Sequence, residues 1–575
     1  MEEIITLLTQ TIKDLYNLDF HPELIPSPDN LDADYSTNAP LKLAKELHKS
    51  PMEIASEIET FISDNGGFRS AAARGLAREP HGDGRERRDP VADINVSMPG
   101  FLNFTLSDDY LETQIDELLN DFDKNISSDE FAGKTVICEF SDPNPFKVLH
   151  VGHLYTSIVG DSIAKLFEYA GANVIRANFG GDVGLHVAKT MYILRQKSLD
   201  ELTIEDIARC YVEGTAAYED DSSAKEEITK LNQEIYKINS EKLHDSELAE
   251  LYWKGRELSY DYFRNFYDSI GVKFDKYYPE STVADLGLTK VKEQLEKGVY
   301  EISNGATIFN GEKFGLHTRV FINQQGVPTY ETKDVGLIFT KWNDYHFDKS
   351  VVITGSEQLD YMKVVLKSVE QYAPELVERT NHLIHGLVKL PGNVKMSSRK
   401  GNFLKAVDVL DMVRDELKSA YDSSDEKVAL SATKYAFLKY KMGGDIIFDP
   451  KESVKMTGNS GPYLLYSAVR AKKIIQKGVS GSESTNKRRC LSSERNLMKK
   501  LFEYKPLLQE AVSEMATHKV ANYLYELAQA FSRFYENCPV IGSEEETERL
   551  KLVQVYLETM THGLNILGIE IPEEM

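Results

Sequence analysis

Two histidines with two residues between them start a predicted helix in the string His150-Val151-Gly152-His153. The N-terminus of a helix presents free amide groups and a positive dipole to anions, and histidine rings can donate hydrogen bonds to phosphate oxygens. Gly152 has no side chain and so lets a nucleotide approach the backbone. The string therefore suits nucleotide binding, although two surface or capping histidines would give the same letters.

A second polar cluster comes much later, in the string LPGNVKMSSRKGN. It brings three cations and two hydroxyls into one glycine-containing turn, in the order Lys395, Met396, Ser397, Ser398, Arg399, Lys400, Gly401 and Asn402. Such a turn can wrap a triphosphate and neutralise the charge that develops as pyrophosphate leaves. On its own the string is more typical of a solvated basic loop, so it indicates nucleotide binding only in combination with the two histidines.

The elements that must position the histidines form a predicted βαβ unit. A short apolar strand covers Thr135 to Phe140, the loop SDPNPFKVLH follows, a helical stretch ends near Ala170 before Gly171, and NVIRANF is a second strand. Such a unit predicts a parallel sheet with helices on its faces. Ligands bind at the carboxyl ends of strands in these sheets, which is where the histidine loop lies.

The remaining patterns predict three domains, at residues 1–112, 113–455 and 456–575. The first combines helical apolar spacing with the strand-like string INVSMPGFLNFTL, which indicates a small α+β domain. The second contains a charged helical insertion at about 190–285. The third is helical to its end, with VANYLYELAQAFSRFYENC as its clearest amphipathic helix. The aromatic residues of that helix are typical of core packing, and some could stack on unpaired bases.

Length and composition exclude several classes of protein. The chain has 575 residues, of which 41% are hydrophobic and 27% charged, as in ordinary globular proteins. The sequence has no apolar run of about 18 residues and an acidic start, so we expect no membrane segment and a cytoplasmic location. The four cysteines are isolated, which predicts reduced thiols. The net charge of −24 disfavours unspecific adhesion to nucleic acid but does not exclude a specific RNA partner.

An Arg-rich stretch without Lys, from Gly66 to Arg88, is typical of an exposed insertion, and a frame error in the gene is a second hypothesis.

Together the two clusters resemble the HIGH and KMSKS signatures of class I aminoacyl-tRNA synthetases. Further strings in the same order narrow the resemblance to the arginyl-tRNA synthetases: EFSDPNPFKVLHVGH, NVIRANFGGDVG, YETKDVG, GSEQ, GLVKLPGNVKMSSRKGN, GNSGPYLLYSAVRA and LGIEIPEEM. The resemblance covers nearly the whole chain except the Arg-rich stretch and the helical insertion.

The resemblance implies a fold and a set of partners. The fold would be a Rossmann-like α/β catalytic domain with a parallel sheet, a small α+β N-terminal domain that touches the corner of tRNA, and an all-α C-terminal domain that binds the anticodon. The partners would be L-arginine, ATP with Mg²⁺, and tRNA(Arg). The protein would be a monomer, and none of its side chains would bind a metal ion. ATP would be bound by His150, Gly152, His153, Lys395, Met396, Ser397, Ser398 and Arg399, and the catalytic residues would be Lys147, His150, His153 and Lys395.

Five further residues match the family's arginine pocket, namely Glu139, Asn144, Tyr330, Asp334 and Gln358. A guanidinium group has five donors in a rigid fork, so carboxylates and carbonyl oxygens bind it best. Tyr330 and Asp334 are one helical turn apart and can face the same pocket. Asp334 is the predicted partner of the guanidinium group.

Two positions depart from the family pattern. Ser398 stands where the KMSKS signature has its second lysine, so the cation usually placed on the leaving pyrophosphate is missing there. Lys147, three residues before His150, matches a lysine that the family carries when this signature is degenerate, and it could supply the charge. The other departure is Tyr155, at a position where relatives commonly have arginine.

Three alternatives stay open at this point. Another class I synthetase, for cysteine, glutamine or glutamate, would share both signatures, although the zinc cluster that favours cysteine is absent. A synthetase-like protein could bind tRNA or nucleotide without catalysing transfer, given Ser398 and the altered N-terminal stretch. A free nucleotidyltransferase would have no need of the helical third domain.

Overall fold

A computed structural model of the chain describes residues 2–27, 31, 33–64, 90–197, 202–392, 404–478 and 488–575. The Arg-rich stretch and the predicted ATP-binding residues Lys395, Met396, Ser397, Ser398 and Arg399 lie outside the described residues. The chain forms two compact units. The first contains Met1–Ile126, Arg470–Tyr504 and Glu526–Thr559, and the second contains Ser127–Val469, Lys505–Tyr525 and Met560–Met575. The predicted division into three domains stays a prediction.

The described strands, in chain order, are β1 (Ile25–Pro26), β2 (Tyr35–Thr37), β3 (Val91–Ser97), β4 (Phe101–Leu106), β5 (Thr135–Glu139), β6 (Asn173–Gly180), β7 (Lys276–Pro279), β8 (Glu301–Ser303), β9 (Ala306–Phe309), β10 (Arg319–Ile322), β11 (Lys349–Gly355), β12 (Thr380–His385), β13 (Val388–Lys389) and β14 (Ile446–Ile447). The described α-helices are α1 (Glu2–Tyr16), α2 (Ala39–Leu47), α3 (Pro51–Asp64), α4 (Asp108–Asn120), α5 (Phe122–Ile126), α6 (Val151–Tyr169), α7 (Leu185–Leu194), α8 (Ile204–Asp220), α9 (Ser222–Glu241), α10 (Glu247–Ser269), α11 (Glu280–Glu296), α12 (Tyr330–Tyr345), α13 (Leu359–Glu370), α14 (Pro374–Glu378), α15 (Ala406–Tyr421), α16 (Glu426–Leu438), α17 (Pro450–Ser453), α18 (Gly461–Lys477), α19 (Ser492–Phe502), α20 (Tyr504–Glu514), α21 (Thr517–Asn537) and α22 (Glu546–Ile566).

The second unit is centred on a five-stranded sheet in the order β12-β11-β5-β6-β7, in which every neighbouring pair is parallel. The chain runs from β5 to β6 and β7 on one side and then returns to β11 and β12 on the other, so its direction reverses between β5 and β11. The connections that leave these two strands diverge and form a crevice at their carboxyl ends, where ligands bind in such folds. The predicted Rossmann-like parallel sheet is confirmed, and Glu139, the last residue of β5, stands beside this switch point.

Helix α6 follows β5 and carries the two histidines. It is capped by His150 at its N-terminus, and it is followed by Gly171, whose φ of +85° lies in the left-handed region that glycine adopts freely. Most of its side chains are buried, since the helix packs against the sheet. Gly160 allows this close packing, because a Cβ atom there would lie 2.1 Å from Cγ of Phe140.

The predicted helical insertion is helical in the structure and consists of α8, α9 and α10. Thr203 caps α8 through a reciprocal pair of hydrogen bonds with Asp206, and Asp221 caps α9. The apolar sides of these helices pack with α7 in one buried cluster that also contains Phe146, from the loop before α6. The insertion therefore contributes directly to the packing beneath the histidine loop.

The first unit contains the predicted small α+β domain, with an antiparallel sheet in the order β1-β2-β4-β3. Asp34, in the string DADYSTN, is buried in this unit and accepts the backbone N–H of Leu106 at 2.7 Å. Its carboxylate also pairs with Arg495 at 2.5 Å and with Lys499 at 2.9 Å, both on α19. The C-terminal part of the described chain is all-helical, from α18 to α22, as predicted.

No helix in the described parts of the chain is long and apolar enough to cross a membrane. All four cysteines, Cys138, Cys210, Cys490 and Cys538, are buried free thiols. Their state agrees with the prediction made from their isolated positions in the sequence.

The contact between Gly160 and Phe140 gives a test of how α6 is held on the sheet. We expect Gly160→Ala to lower the free energy of unfolding by about 1–3 kcal/mol, because the added methyl group overpacks the contact with Phe140. The higher helix propensity of alanine should offset roughly 1 kcal/mol of this loss. Gly444→Ala is the control, because a Cβ there would meet no atom within 4 Å. Urea unfolding followed by circular dichroism measures both, and equal midpoints for the two variants would contradict the close contact.

Candidate active site

The two histidines form a closely packed pair at the start of α6. Nδ1 of His150 accepts the backbone N–H of Gly152 at 3.1 Å, and Nδ1 of His153 accepts the backbone N–H of His150 at 3.1 Å. The two rings stack with their centroids 3.8 Å apart. Because both Nδ1 atoms accept hydrogen bonds, the proton of each neutral ring is on Nε2. The pair therefore offers two Nε2–H donors beside a helix N-terminus.

Burial keeps both rings uncharged. It lowers the pKa of His150 to about 4, and it lowers the pKa of His153 well below its usual value. The positive charge of Lys147 acts in the same direction on both. The two rings thus act as neutral donors throughout the neutral pH range, which suits a role in binding phosphate oxygens without taking up protons.

Gly152 is needed for this pair to form. A Cβ atom at this position would lie 2.8 Å from Cε1 of His150, so any side chain would displace the ring that caps the helix. The predicted reason for the glycine was access for a nucleotide. The structure adds a second reason, which is room for the neighbouring histidine.

The chain that follows the second predicted cluster pairs with the histidine loop. The backbone N–H of Val151 donates to the carbonyl of Leu404 at 2.9 Å, and the N–H of Ala406 donates to the carbonyl of Leu149 at 3.0 Å. His150 and Lys405 lie opposite each other in this antiparallel bridge. The segment that begins two residues after Asn402 is therefore anchored beside the histidines. The roles predicted for Lys395 to Arg399 stay predictions.

Lys147 lies in the loop between β5 and α6, and its Nζ stands 4.6 Å from the ring centroid of Tyr211 on α8. Its charge is among the causes that lower the pKa of three nearby histidines, His150, His153 and His186. Within the described part of the chain no carboxylate comes within 4.0 Å of its ammonium group. Lys147 thus keeps its full charge close to the histidine pair.

A small cavity lies between α12, α13 and the strands β5 and β11. Its polar lining consists of Glu139, Asp334, Lys341 and Thr380, and apolar side chains such as Met362 complete it. Glu139 accepts a hydrogen bond from Nζ of Lys341 at 2.5 Å, and this ammonium also donates to Ser350 Oγ at 3.1 Å. The structure therefore brings together Glu139 and Asp334, two of the residues predicted to bind arginine.

The described lining of the cavity contains more acidic than basic side chains. Burial raises the pKa of Asp334 to about 8, although Asp334 accepts a hydrogen bond from the hydroxyl of Tyr361, and the nearby charge of Glu139 raises it further. Asp142 is half-buried close by, and desolvation also raises its pKa well above the usual value. Lys341 is the only ammonium in the described lining of this cavity. A cation that entered from solvent would therefore be stabilised here.

Asn144 and Gln358 lie beyond the carboxyl ends of β5 and β11, on either side of the switch point. The side-chain oxygen of Asn144 accepts the backbone N–H of Gly181 at 2.7 Å, which fixes the amide and leaves its N–H₂ group to a ligand. Gln358 is exposed in the short 3-10 helix Ser356–Gln358 that follows β11. Their positions agree with a role at the crevice, and their contacts with a substrate stay predictions.

Tyr330 is the first residue of α12 and is 54% exposed. The Nζ of Lys333 stands 5.2 Å from its ring centroid. Asp334, one turn further along α12, lines the cavity, whereas Tyr330 is not among the lining residues. The geometry therefore does not place both side chains in one cavity, and a contact between Tyr330 and substrate stays a prediction.

Three residues of the site were not found from the sequence: Lys341, Tyr361 and Asp142. Lys341 had a signal, because it follows Asp334 by seven residues on one helix and stands in the apolar string GLIFTKW. Tyr361 had none, since it reaches Asp334 from a different helix. Tyr155, noted above as a departure, is buried with its ring edge-on to His385 and Phe437, at centroid distances of 5.1 and 5.5 Å.

The parallel sheet, the helix capped by paired histidines at its switch point and the helical C-terminal part define a class I aminoacyl-tRNA synthetase. Residues 114–449 match the family model for the catalytic domain of class I (R) tRNA synthetases, residues 464–575 the DALR anticodon binding domain, and residues 2–76 the arginyl tRNA synthetase N terminal domain. The chain belongs to the arginyl-tRNA synthetase family.

Individual relatives agree with this assignment. The arginine–tRNA ligase of Clostridium perfringens (strain 13 / Type A) is 28% identical over 584 residues, which cover 98% of this chain and 97% of the relative. The solved structure of Thermus thermophilus arginyl-tRNA synthetase has a TM-score of 0.75 at 23% identity and is covered fully, as is this chain. The Plasmodium falciparum arginyl-tRNA synthetase has a TM-score of 0.72 at 20% identity, with 100% of this chain and 99% of that chain covered. The two structures support the fold.

The raised pKa of Asp334 gives arginine binding a pH dependence. Only the ionised carboxylate pairs with a guanidinium, and the ionised fraction decreases as the pH falls below about 8. We expect the KM for arginine to rise by up to about tenfold for each pH unit below that value, in aminoacylation assays at several pH values. Asp334→Asn cannot ionise and should have a high KM that changes little with pH. A wild-type slope in this variant would assign the pH dependence to another group.

Proposed function

We propose that the chain activates L-arginine with ATP, forming arginyl-adenylate and pyrophosphate, and then transfers the arginyl group to the 3′-terminal ribose of tRNA(Arg), releasing AMP. The observation that carries this proposal is that two sites of opposite electrostatic character lie at one switch point. A cavity with excess buried carboxylate lies at the end of β5, and a neutral histidine pair with an unneutralised lysine lies at the start of α6. The first attracts a guanidinium group, and the second attracts phosphates.

Binding of the guanidinium group rests on Asp334, and Glu139, whose charge is shared with Lys341, is assigned to the ammonium and carboxylate end of the substrate. The guanidinium fork has five donors, so it can bond to Asp334 and to further acceptors at the same time. Asn144 is assigned to the same end through its amide, and Gln358, in the 3-10 helix that follows β11, is assigned a further contact with the amino acid. Tyr330 is kept as a contact at the mouth of this site.

Activation needs no covalent intermediate on the protein. The carboxylate of arginine attacks the α-phosphorus in line, so the protein acts by positioning the reactants and stabilising charge. His150 and His153 donate from Nε2 to phosphate oxygens, and Gly152 lets the nucleotide approach. Lys147 supplies positive charge to the leaving pyrophosphate, in place of the lysine missing at Ser398.

The residues of the second signature would complete the ATP site. Lys395, Met396, Ser397, Ser398 and Arg399 follow one another in the chain just before the segment anchored beside His150. This anchoring supports the assignment of Lys395 as a second catalytic cation and of its neighbours as triphosphate contacts.

Mg²⁺ is assigned to the nucleotide and not to a protein cage. Within the described residues no group of three His, Cys, Asp or Glu side chains could hold a metal ion. The groups beside the phosphate position are N–H donors and an ammonium, which do not ligate Mg²⁺. The ion fits as part of Mg–ATP, where it would supply charge neutralisation to the phosphates.

Recognition of tRNA(Arg) is assigned to the two terminal parts of the chain, as in the DALR and N-terminal domain families they match. In α21 the aromatic side chains Tyr523, Phe531 and Phe534 are buried core residues. Tyr535 is 44% exposed, with the guanidinium of Arg470 at 5.1 Å from its ring centroid, and is the better candidate to stack on a base. A monomeric state and a cytoplasmic location complete the proposal.

Charging of total tRNA with each of the twenty labelled amino acids, in the presence of ATP, tests the proposed reaction. We expect transfer of arginine alone, because a neutral side chain would leave the buried carboxylates without a cation. Tight binding of ATP and tRNA without transfer of any amino acid would instead identify a tRNA-binding protein without ligase activity.

His153→Ala tests the donor role of the histidine pair. We expect it to slow ATP–pyrophosphate exchange, measured with tRNA(Arg) present, by about 10²- to 10³-fold, as when a donor to a developing charge is removed. His562→Ala is the control, because this histidine lies on α22 and packs against Tyr169 at the far end of α6. A wild-type exchange rate in His153→Ala would remove His153 from the reaction.

A further inference from the structure

Lys147 is held by an aromatic ring and not by a carboxylate. Its Nζ lies 4.6 Å from the ring centroid of Tyr211, and both side chains are half-buried. An ion pair with Asp or Glu would neutralise the ammonium, whereas the face of a ring attracts it and leaves its charge in place. The contact therefore suits a lysine whose charge is meant for a phosphate.

The position of Tyr211 is set by the packing of α8 on α7. Ile207 and Cys210 are buried in the cluster shared by these helices. Gly214 is the point of closest approach, because a Cβ there would lie 1.9 Å from the carbonyl oxygen of Lys189 on α7. Tyr211 lies next to Cys210 and one turn from both Ile207 and Gly214, so the same contacts that fix the helix fix the ring.

An alternative partner for the ammonium of Lys147 is Glu280, whose charge it influences. The charges of these two groups influence each other, and Glu280 is buried and already bonded to Lys333 at 2.6 Å. If the ring were absent, Lys147 would be drawn towards this carboxylate and away from the histidine pair. The ring therefore keeps the ammonium of Lys147 available to ATP, whereas an ion pair with Glu280 would bind it elsewhere.

We propose that Tyr211, on the helical insertion, is a positioning residue for Lys147 and holds its ammonium beside His150 and His153 for the leaving pyrophosphate. This inference rests on the proposed function, in which Lys147 replaces the second signature lysine. It assigns a role in the reaction to the insertion, which the resemblance to the family did not cover.

The same helix offers a matched control. Tyr218 lies two turns after Tyr211, and Nζ of Lys189 stands 4.5 Å from its ring centroid. Both members of this pair are half-buried, as in the first pair, and Lys225 also lies 5.3 Å from the Tyr218 ring. Tyr218→Leu therefore removes an equivalent cation–ring contact from α8 without touching Lys147.

The experiment measures ATP–pyrophosphate exchange by the full chain with tRNA(Arg) present. Tyr211→Leu and Tyr211→Gln should lower kcat by about 3- to 30-fold, the range expected for loss of one cation–ring contact, with little change in the KM for arginine. Tyr211→Phe keeps the ring and should restore the wild-type rate, and Tyr218→Leu should keep it as well. Lys147→Met should lower kcat by about 10²-fold or more, and Tyr211→Leu should add nothing further in that background.

The outcomes separate the inference from the proposed function. Equal losses in Tyr211→Leu and Tyr218→Leu, or a full additional loss in the double variant with Lys147→Met, would overturn the positioning role. An unchanged kcat in both Tyr211 variants, with Lys147→Met impaired, would overturn it too and leave the role of Lys147 intact. A wild-type rate in Lys147→Met would remove Lys147 from the reaction and the inference with it, whereas charging with arginine would still establish the activity.

Discussion

The charge balance of one buried cavity is the constraint on which the site depends. The buried Glu139 and the half-buried Asp334 line this cavity with a single ammonium, from Lys341, so its described lining has more acidic than basic side chains, and the half-buried Asp142 lies close by. Burying an unpaired carboxylate is costly, and the protein meets the cost by raising the pKa of Asp334. A guanidinium that enters removes this penalty and supplies donors in a fixed fork. In the proposed function, selectivity for arginine follows from this preference for a cation.

The phosphate side of the site has the opposite electrostatics, and a single connection joins the two. The segment from Glu139 to His153 runs from the acidic cavity to the N-terminus of α6, where neutral N–H donors and Lys147 replace carboxylates. In the proposed function this arrangement would bring the carboxylate of arginine up to the α-phosphorus of ATP. One βα connection therefore sets the direction of the substrates, and Gly160, which lets α6 pack on Phe140, helps to fix its geometry.

The sequence predicted those features whose causes are local. The strand, loop and helix around Glu139 and His150 follow from apolar runs, a glycine stop and short spacing, and Asp334 followed from the resemblance to a family. Lys341 was also within reach, since it is two turns from Asp334 in an apolar helix. The contacts of Tyr361 and Tyr211 were not, because the first joins two different helices and the second joins a helix to a loop, and no local pattern records which of these elements meet. The composition of the two compact units has the same cause, since patterns locate helices but not their neighbours.

The contact between Lys147 and Tyr211 changes how the helical insertion is understood. Insertions in a conserved scaffold tolerate change when they touch only solvent, but α8 comes so close to α7 that Gly214 has no room for a side chain. A helix held this tightly transmits its position to every group it contacts, including Lys147, the lysine proposed to replace the missing signature cation. In the proposed mechanism the altered signature at Ser398 and the placement of the insertion are coupled. A cation supplied by the loop before α6 and not by the signature loop needs a surface to hold it there, and a neutral ring provides that surface without neutralising the charge.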